Sequence, residues 1–335
     1  MKLIIQIPCL NEERTLPATL AELPRHIEGV DTIEILVIDD GSDDRTSEVA
    51  RSLGVNHLVR HTNNCGLGRA FRSGLDRALK EGADIIVNTD GDGQYRGSSV
   101  KDLIKPILEG RADIVIGDRN TASNPEFGAI KKFLQWLGSY IVRSLSGVRV
   151  PDAVSGFRAI SRQAALRLNV LSTFSYTVEM IIQAGNKQLT VLSVPVDINP
   201  ETRESRLFRN IPQFVGRQLV AMLRMYAMYR PMRFFLYLGS IFCALGLIPI
   251  LGFLFAYWAG KGDGHVQSLV LGGALLTMGF VVYVSGLLSD LISMNRQLNE
   301  ITLEKVRRLE LEIAARSLAG GGDDNGIAPV RCTEK

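Results

Sequence analysis

From Lys2 to about Val196 the apolar residues fall in short β-rich runs, namely Leu3-Ile4-Ile5, Ile33 to Ile38, Ile85 to Val87 and Ile114-Val115-Ile116. Between them lie stretches of helical periodicity: Leu16 to Arg25, Thr46 to Ser52, Gly68 to Leu79, Ser99 to Leu108 and Ile130 to Leu145. Such alternation predicts βαβ units and an α/β domain over residues 1–205, with a mostly parallel sheet covered by helices on both faces.

The pattern then changes. Asn210 to Tyr229 interleaves Phe214, Leu219, Met222, Leu223, Met225 and Tyr226 with Arg217 and Arg224. This predicts an interfacial helix within 206–230, its arginine stems reaching lipid phosphate; a basic-faced helix packed on the soluble domain is the alternative. Phe234 to Trp258 is a charge-free run of 25 residues, ~37 Å at helical rise, against a hydrocarbon core of ~30 Å. A second span is predicted at 269–290. The short connector makes the two a hairpin with both ends on one side of the membrane. Past Asn295, Thr302, Val306, Leu309 and Ile313 recur at heptad-like spacing, which predicts a cytoplasmic helix over 295–318 and allows a homo-oligomer. Residues 319–335 read as a disordered tail.

Charge and composition orient this plan. The chain has 335 residues, 46% of them hydrophobic, and a net charge of +3. The apolar excess lies beyond Phe234, and between Ser205 and Gly262 six arginines occur without an acid. Basic residues beside a span mark the cytoplasmic side and anionic head groups. The chain is therefore expected to be an integral protein of the plasma (inner) membrane with a cytoplasmic α/β domain and no nucleic-acid partner. The four cysteines, 9, 65, 243 and 332, have no C-x-x-C spacing, so a reducing compartment without a disulfide framework is expected. The start opens into a strand without signal-peptide regions.

Candidate chemistry centres on Asp90-Gly91-Asp92-Gly93-Gln94, directly after the run Ile85-Ile86-Val87-Asn88-Thr89. A buried strand ending in two carboxylates one residue apart delivers hard oxygen ligands to the sheet edge where open α/β folds bind ligands. Carboxylate and amide oxygens suit Mg2+ or Mn2+, with water and phosphate completing the shell; a plain turn is the alternative. The first strand ends in Pro8-Cys9-Leu10-Asn11-Glu12-Glu13, and the second in Asp39-Asp40-Gly41-Ser42-Asp43-Asp44-Arg45-Thr46. Both acidic turns share that edge. Asp39 is the better base or ribose ligand, while Asp43 and Asp44 read as helix caps. Asn63-Asn64-Cys65-Gly66-Leu67-Gly68-Arg69-Ala70 opens a helix whose N-terminus, with Arg69, favours phosphate. A Rossmann dinucleotide site is disfavoured because the first turn lacks glycines.

Pro-x-x-Asn-Glu, Asp-Asp-Gly-Ser-x-Asp-x-Thr, Asn-x-x-Gly-x-Gly-x-Ala, the D-x-D-x-Gln strand end and Ser155-Gly156-Phe157-Arg158 occur here in that order. So ordered, the chain from Lys2 to about Asn295 resembles the inverting family 2 glycosyltransferases of the dolichol-phosphate mannose synthase type. With two C-terminal spans it is most similar to the bacterial polyprenyl-phosphate glycosyltransferases. The resemblance implies a GT-A fold, a divalent metal, a UDP- or GDP-sugar donor and a polyprenyl (undecaprenyl or dolichyl) phosphate acceptor in membrane lipid. By position it implies that Pro8, Leu10, Glu12 and Asp39 line base and ribose. Asp90 would face nucleotide and metal, and Asp92 and Gln94 would hold the metal. Arg119 would meet donor or acceptor phosphate, with Arg203, Ser205 and Arg206 preceding the interfacial helix. Asp152 and Arg158 would frame the reaction centre. Leu10 departs from the aromatic residue usual there, and Gln135 falls about where archaeal members place an acceptor-binding serine.

Physically, a lipid phosphate with a second pKa near ~6 is already nucleophilic at neutral pH, so charge neutralisation is the harder task. Asp152 reads as acceptor-orienting group, base or loop cap beside Pro151; Arg158 reads as reaction-centre group or structural ion pair. Tyr176 and Glu179 read as a sugar-side helix or a solvated turn. Two rival functions remain: a polysaccharide synthase, which lacks its Gln-x-x-Arg-Trp motif and further spans here, and a catalytically silent sugar-nucleotide-binding scaffold.

Overall fold

The structure, a computed structural model, describes residues 1–119, 142, 143, 146–170, 176–199, 224, 226–258, 260 and 266–319, with side chains to Ile313. Among these, β1 (Lys2–Cys9), β2 (Thr32–Asp39), β3 (His57–Arg60), β4 (Ile85–Asn88), β5 (Ile114–Asp118), β6 (Arg158–Ser161) and β7 (Val191–Pro195) form one sheet. Its order is β3-β2-β1-β4-β6-β5-β7. All pairings are parallel except those of β6, which runs antiparallel to β4 and β5.

Alternate residues of β1 serve opposite faces of the sheet. Leu3, Ile5 and Ile7 join one core with Leu16 of α1 (Leu16–Glu22) and Val100, Leu103 and Ile104 of α4 (Val100–Leu108). Burying each such aliphatic side chain stabilises the fold by about 1.5–3 kcal/mol. On the other face Gln6 meets α3 (Leu67–Lys80), where a Cβ on Gly74 would lie 2.5 Å from Gln6 Oε1. Glycine there lets helix and sheet approach. α2 (Thr46–Ser52) follows β2 as expected. α5 (Arg162–Arg167) and α6 (Tyr176–Asn186) lie between β6 and β7. Both Tyr176 and Glu179 are buried on α6, so the solvated-turn reading gives way to a packed helix.

The chain divides into two compact units, Met1–Arg209 with Leu303–Lys335, and Asn210–Thr302. The second holds α7 (Pro231–Trp258) and the apolar part of α8 (Val266–Ala319), two helices long and apolar enough to cross a membrane. They approach through glycine. A Cβ on Gly246 would sit 2.9 Å from Gly272 O, and one on Gly279 2.5 Å from Cys243 Sγ. Small residues are what let apolar helices pack without a hydrophobic drive. The Ser240 and Tyr283 hydroxyls add a 3.0 Å hydrogen bond.

α8 runs unbroken for 54 residues, where the sequence suggested a separate helix after Asn295. No Gly or Pro interrupts 287–319, and the i,i+4 pairs Arg296–Glu300 and Glu304–Arg308 support helix continuation. The interfacial helix before Arg224, most of Ile130–Leu145, and the tail after Ala319 lie outside the described residues.

Candidate active site

Parallel strands deliver their following loops to one edge of a sheet, and the loops after β1, β2, β4 and β5 carry the acidic motifs and Arg119. The first two loops are laced together. Asn11 N donates to Ser42 Oγ at 2.9 Å, Glu12 N to Thr46 Oγ1 at 2.9 Å and Glu13 N to Asp44 Oδ2 at 3.2 Å. In return Asp43 N donates to Asn11 Oδ1 at 2.9 Å, and Arg45 N to Glu13 Oε2 at 3.2 Å. Thus Asp44 accepts from Thr46 N at the start of α2 and binds the neighbouring loop, while Arg45, the residue at the N-cap position, makes no side-chain cap. Pro8 is buried in β1, Leu10 is half-buried at the loop's start, and Glu12 is buried with Thr15 Oγ1 on its carboxylate.

Asp39 is fully buried, accepting from Ser42 N at 2.8 Å and from the Ser47 hydroxyl, with Arg60 Nε 3.7 Å away. Its neighbour Asp40 organises the glycine-containing turn. Asp40 Oδ1 meets His61 Nδ1 at 2.7 Å and Cys65 N at 3.0 Å, while Oδ2 accepts from Gly66 N at 2.9 Å. The ligand atoms of Asp40, His61 and Cys65 lie within 4.8 Å of one another, a spacing that can hold a metal ion. However, the Asp40 oxygens serve amides, His61 Nε2 meets Ser73 Oγ at 3.0 Å, and Cys65 is disulfide-bonded. This bracket sets the turn that leads to the half-buried Arg69. Cys9 and Cys243 are free thiols.

The loop after β4 is held tightly. Thr19 Oγ1 donates to Gly91 O at 3.2 Å, and a Cβ on Gly91 would lie 2.9 Å from Cys9 Sγ. Gly93 adopts φ +72°, a conformation glycine takes without steric cost. Asp92 Oδ1 accepts from Gln94 N at 3.1 Å. Asn199 ties the backbone down by donating N to Gln94 O at 2.8 Å and Nδ2 to Gly93 O at 3.0 Å.

Against this loop lies the Ser155–Arg158 segment. A Cβ on Gly156 would sit 2.8 and 2.9 Å from the two Asp90 carboxylate oxygens, so only glycine leaves that space. Gly156 N donates to Tyr95 Oη at 3.3 Å, and Tyr95 stacks on Phe157 with centroids 4.9 Å apart. Gly156 O accepts from Asn88 Nδ2 at 2.9 Å and from Tyr176 Oη at 3.1 Å. Burial and the Asp92 charge push the Asp90 carboxyl up to about 7, with Arg119 opposing them. Two mutually repelling carboxylates beside an amide residue are a hard-oxygen set that fits a divalent cation.

Beside Asp90, Arg119 donates Nε and Nη2 to the Asp152 oxygens at 2.7 and 3.1 Å. Burial lowers the Arg119 pKa, but Tyr95, Asp152 and Asp90 outweigh it and the net shift is upward. Arg158 is entirely buried. Its guanidinium donates to Ser155 O, Thr177 O and Ala153 O, each at 2.8 Å, and burial pushes its pKa down to about 10. It brackets the Asp152 loop through backbone oxygens rather than through an ion pair. Arg203, Ser205, Arg206 and Gln135 lie outside the described residues. Asn88, Tyr95 and His61 had no role assigned from sequence, although a polar Asn88 closing a wholly apolar strand was a usable signal.

Residues 4–168 match the family model for glycosyl transferase family 2. The chain is 31% identical over 216 residues to a UDP-N-acetylglucosamine–dolichyl-phosphate N-acetylglucosaminyltransferase of Methanococcus voltae, covering 57% of this chain and 82% of that one. It is 27% identical over 235 residues to an undecaprenyl-phosphate mannosyltransferase of Micrococcus luteus, covering 67% and 93%. Among solved structures it is similar in fold to glucosyl-3-phosphoglycerate synthase of Mycobacterium tuberculosis in complex with Mn2+, UDP and glucosyl-3-phosphoglycerate. That match has a TM-score of 0.53 and 20% identity, covering 68% of this chain and 80% of that one.

Proposed function

The chain belongs to glycosyl transferase family 2 and is a glycosyltransferase with a GT-A fold, and from that premise we propose that it moves a sugar from a UDP- or GDP-sugar to a polyprenyl phosphate with inversion. The reading rests above all on the closure of Gly156 against Asp90, which sets a cation-demanding carboxylate pair beside the Arg119–Asp152 ion pair. Relatives named for transfer to undecaprenyl and dolichyl phosphate support the acceptor class, and the candidate spans supply a membrane setting for it. The protein is accordingly an integral membrane enzyme of the inner membrane, its catalytic unit cytoplasmic.

Asp90, Asp92 and Gln94 would hold Mg2+ or Mn2+, which when bound supplies Lewis acidity to the departing nucleoside diphosphate. Leu10, Glu12, Asp39 and Pro8 would line base and ribose, with Arg69 near donor phosphate. The acceptor phosphate, dianionic above its second pKa of ~6, needs no strong base. Its oxygen attacks the anomeric carbon, the bond to the β-phosphate oxygen breaks, and the nucleoside diphosphate leaves. Arg119 lowers the cost of bringing two anions together, as would Arg203 and Arg206 with Ser205. Asp152 fixes the direction of the Arg119 fork, and Arg158 positions Asp152 without touching substrate. Radiolabelled nucleotide sugars incubated with polyprenyl phosphate and either metal, scored for chloroform-soluble product, test the reading. Product with at least one donor is expected; a full panel with none formed and none bound would refute it.

A further inference from the structure

We propose that Arg307, on the C-terminal part of α8, is a positioning residue for this transfer, acting through α6 on the loop that carries Asp152. The inference rests on the glycosyltransferase reading above. Arg307 Nη1 donates to Leu168 O and Asn169 Oδ1, both at 3.0 Å, and Nη2 lies 3.3 Å from Asp76 Oδ1 on α3. One turn earlier Glu304 lies 3.9 Å from Arg167 Nε, so α8 grips the same corner twice.

From that corner a continuous buried path leads to the site. Asn169 N donates to Gln183 Oε1 at 2.8 Å, and Gln183 Nε2 donates back to Asn169 O. Gln183 belongs to α6, at whose other end Thr177 O accepts from Arg158. The same guanidinium holds Ala153 O and Ser155 O, on either side of the turn that follows Asp152. Asn169, Gln183, Thr177, Arg158 and Asp152 are all at most 5% exposed. Buried polar groups cannot exchange partners for water without a penalty, so a shift of one end is passed on rather than absorbed. α6 links the two ends as a rigid element. A second tie, Arg167 Nη2 to Lys187 O at 3.0 Å, fixes the far end of α6 against α5. The geometry therefore couples where α8 docks to how the Arg119–Asp152 fork is aimed.

The test compares full-length wild type, Arg307→Ala and Arg307→Lys in detergent. Amide hydrogen exchange should rise at 166–170 and also at 153–158, while β1 and β2 stay protected. Transfer kcat should fall about five- to tenfold, the low end of typical site-to-site coupling, with donor KM unchanged. Lysine keeps charge for Asp76 but not the fork to Leu168 and Asn169, so it should recover only part of the loss. It also carries the test if the alanine variant does not fold. Exchange confined to 166–170, or an unchanged kcat, overturns the proposal. A wild type that transfers no sugar would instead refute the reaction, and exchange at 153–158 would still show whether Arg307 reaches the loop.

Discussion

Arg119 and Asp152, 33 residues apart in the chain, meet as a two-pronged ion pair at 2.7 and 3.1 Å, with the Asp152 carboxylate almost wholly buried. Each would be left as an uncompensated charge without the other. Arg119→Ala and Asp152→Ala should each destabilise the protein by about 3–5 kcal/mol. The double variant should lose clearly less than the sum. Denaturant unfolding of all three reads this out, and simple additivity would show that the two groups act independently.

Asp92→Ala should abolish transfer while leaving the thermal midpoint near that of wild type, because Asp92 is half-buried at a loop tip, where its carboxylate accepts from Gln94 N. Product formation over a Mg2+ and Mn2+ series checks it. Full turnover in this variant would remove the metal role from the loop.

Gly156→Ala places a methyl 2.8 Å from the Asp90 carboxylate, so either the loop or the acid must move. Displacements of about 1 Å at a reaction centre cost up to ~10²-fold in rate, and a loss of that order in kcat is expected with the fold retained by circular dichroism. Unchanged kcat would mean that Asp90 and the Gly156 segment need not be close.

Glu34 gives a pH prediction away from the site. Burial disfavours its charge, but hydrogen bonds from Lys2 and His57 outweigh that and hold its carboxyl below the usual range. A folded pKa below the unfolded one stabilises at pH above the unfolded value, about 4.3, and that stabilisation disappears as pH falls through the folded value. Wild type should therefore exceed Glu34→Gln in thermal midpoint near neutrality and converge with it in acid. A gap constant across that range would contradict the assignment.

The apolar runs that became β1, β2, β4 and β5 were readable because both of their faces are covered, which demands unbroken hydrophobic residues. β3, His57-Leu58-Val59-Arg60, and β6, Arg158-Ala159-Ile160-Ser161, were not. Each is four residues with polar ends, and only its neighbours in the sheet make it a strand. The continuity of α8 was likewise hidden, since charged residues past Asn295 looked like a boundary although nothing there breaks a helix.

Residue types and order thus determined the α/β class, the acidic loop tips on one sheet edge and two lipid-compatible helices, because periodicity and strand-end position are local properties of a chain. Tertiary structure alone decided which charges spend themselves on the protein. Arg158 is enclosed by its own chain, Arg119 turns to Asp152, and Gly156 closes on Asp90. Those outcomes depend on burial and on partners dozens of residues away, which no local pattern encodes.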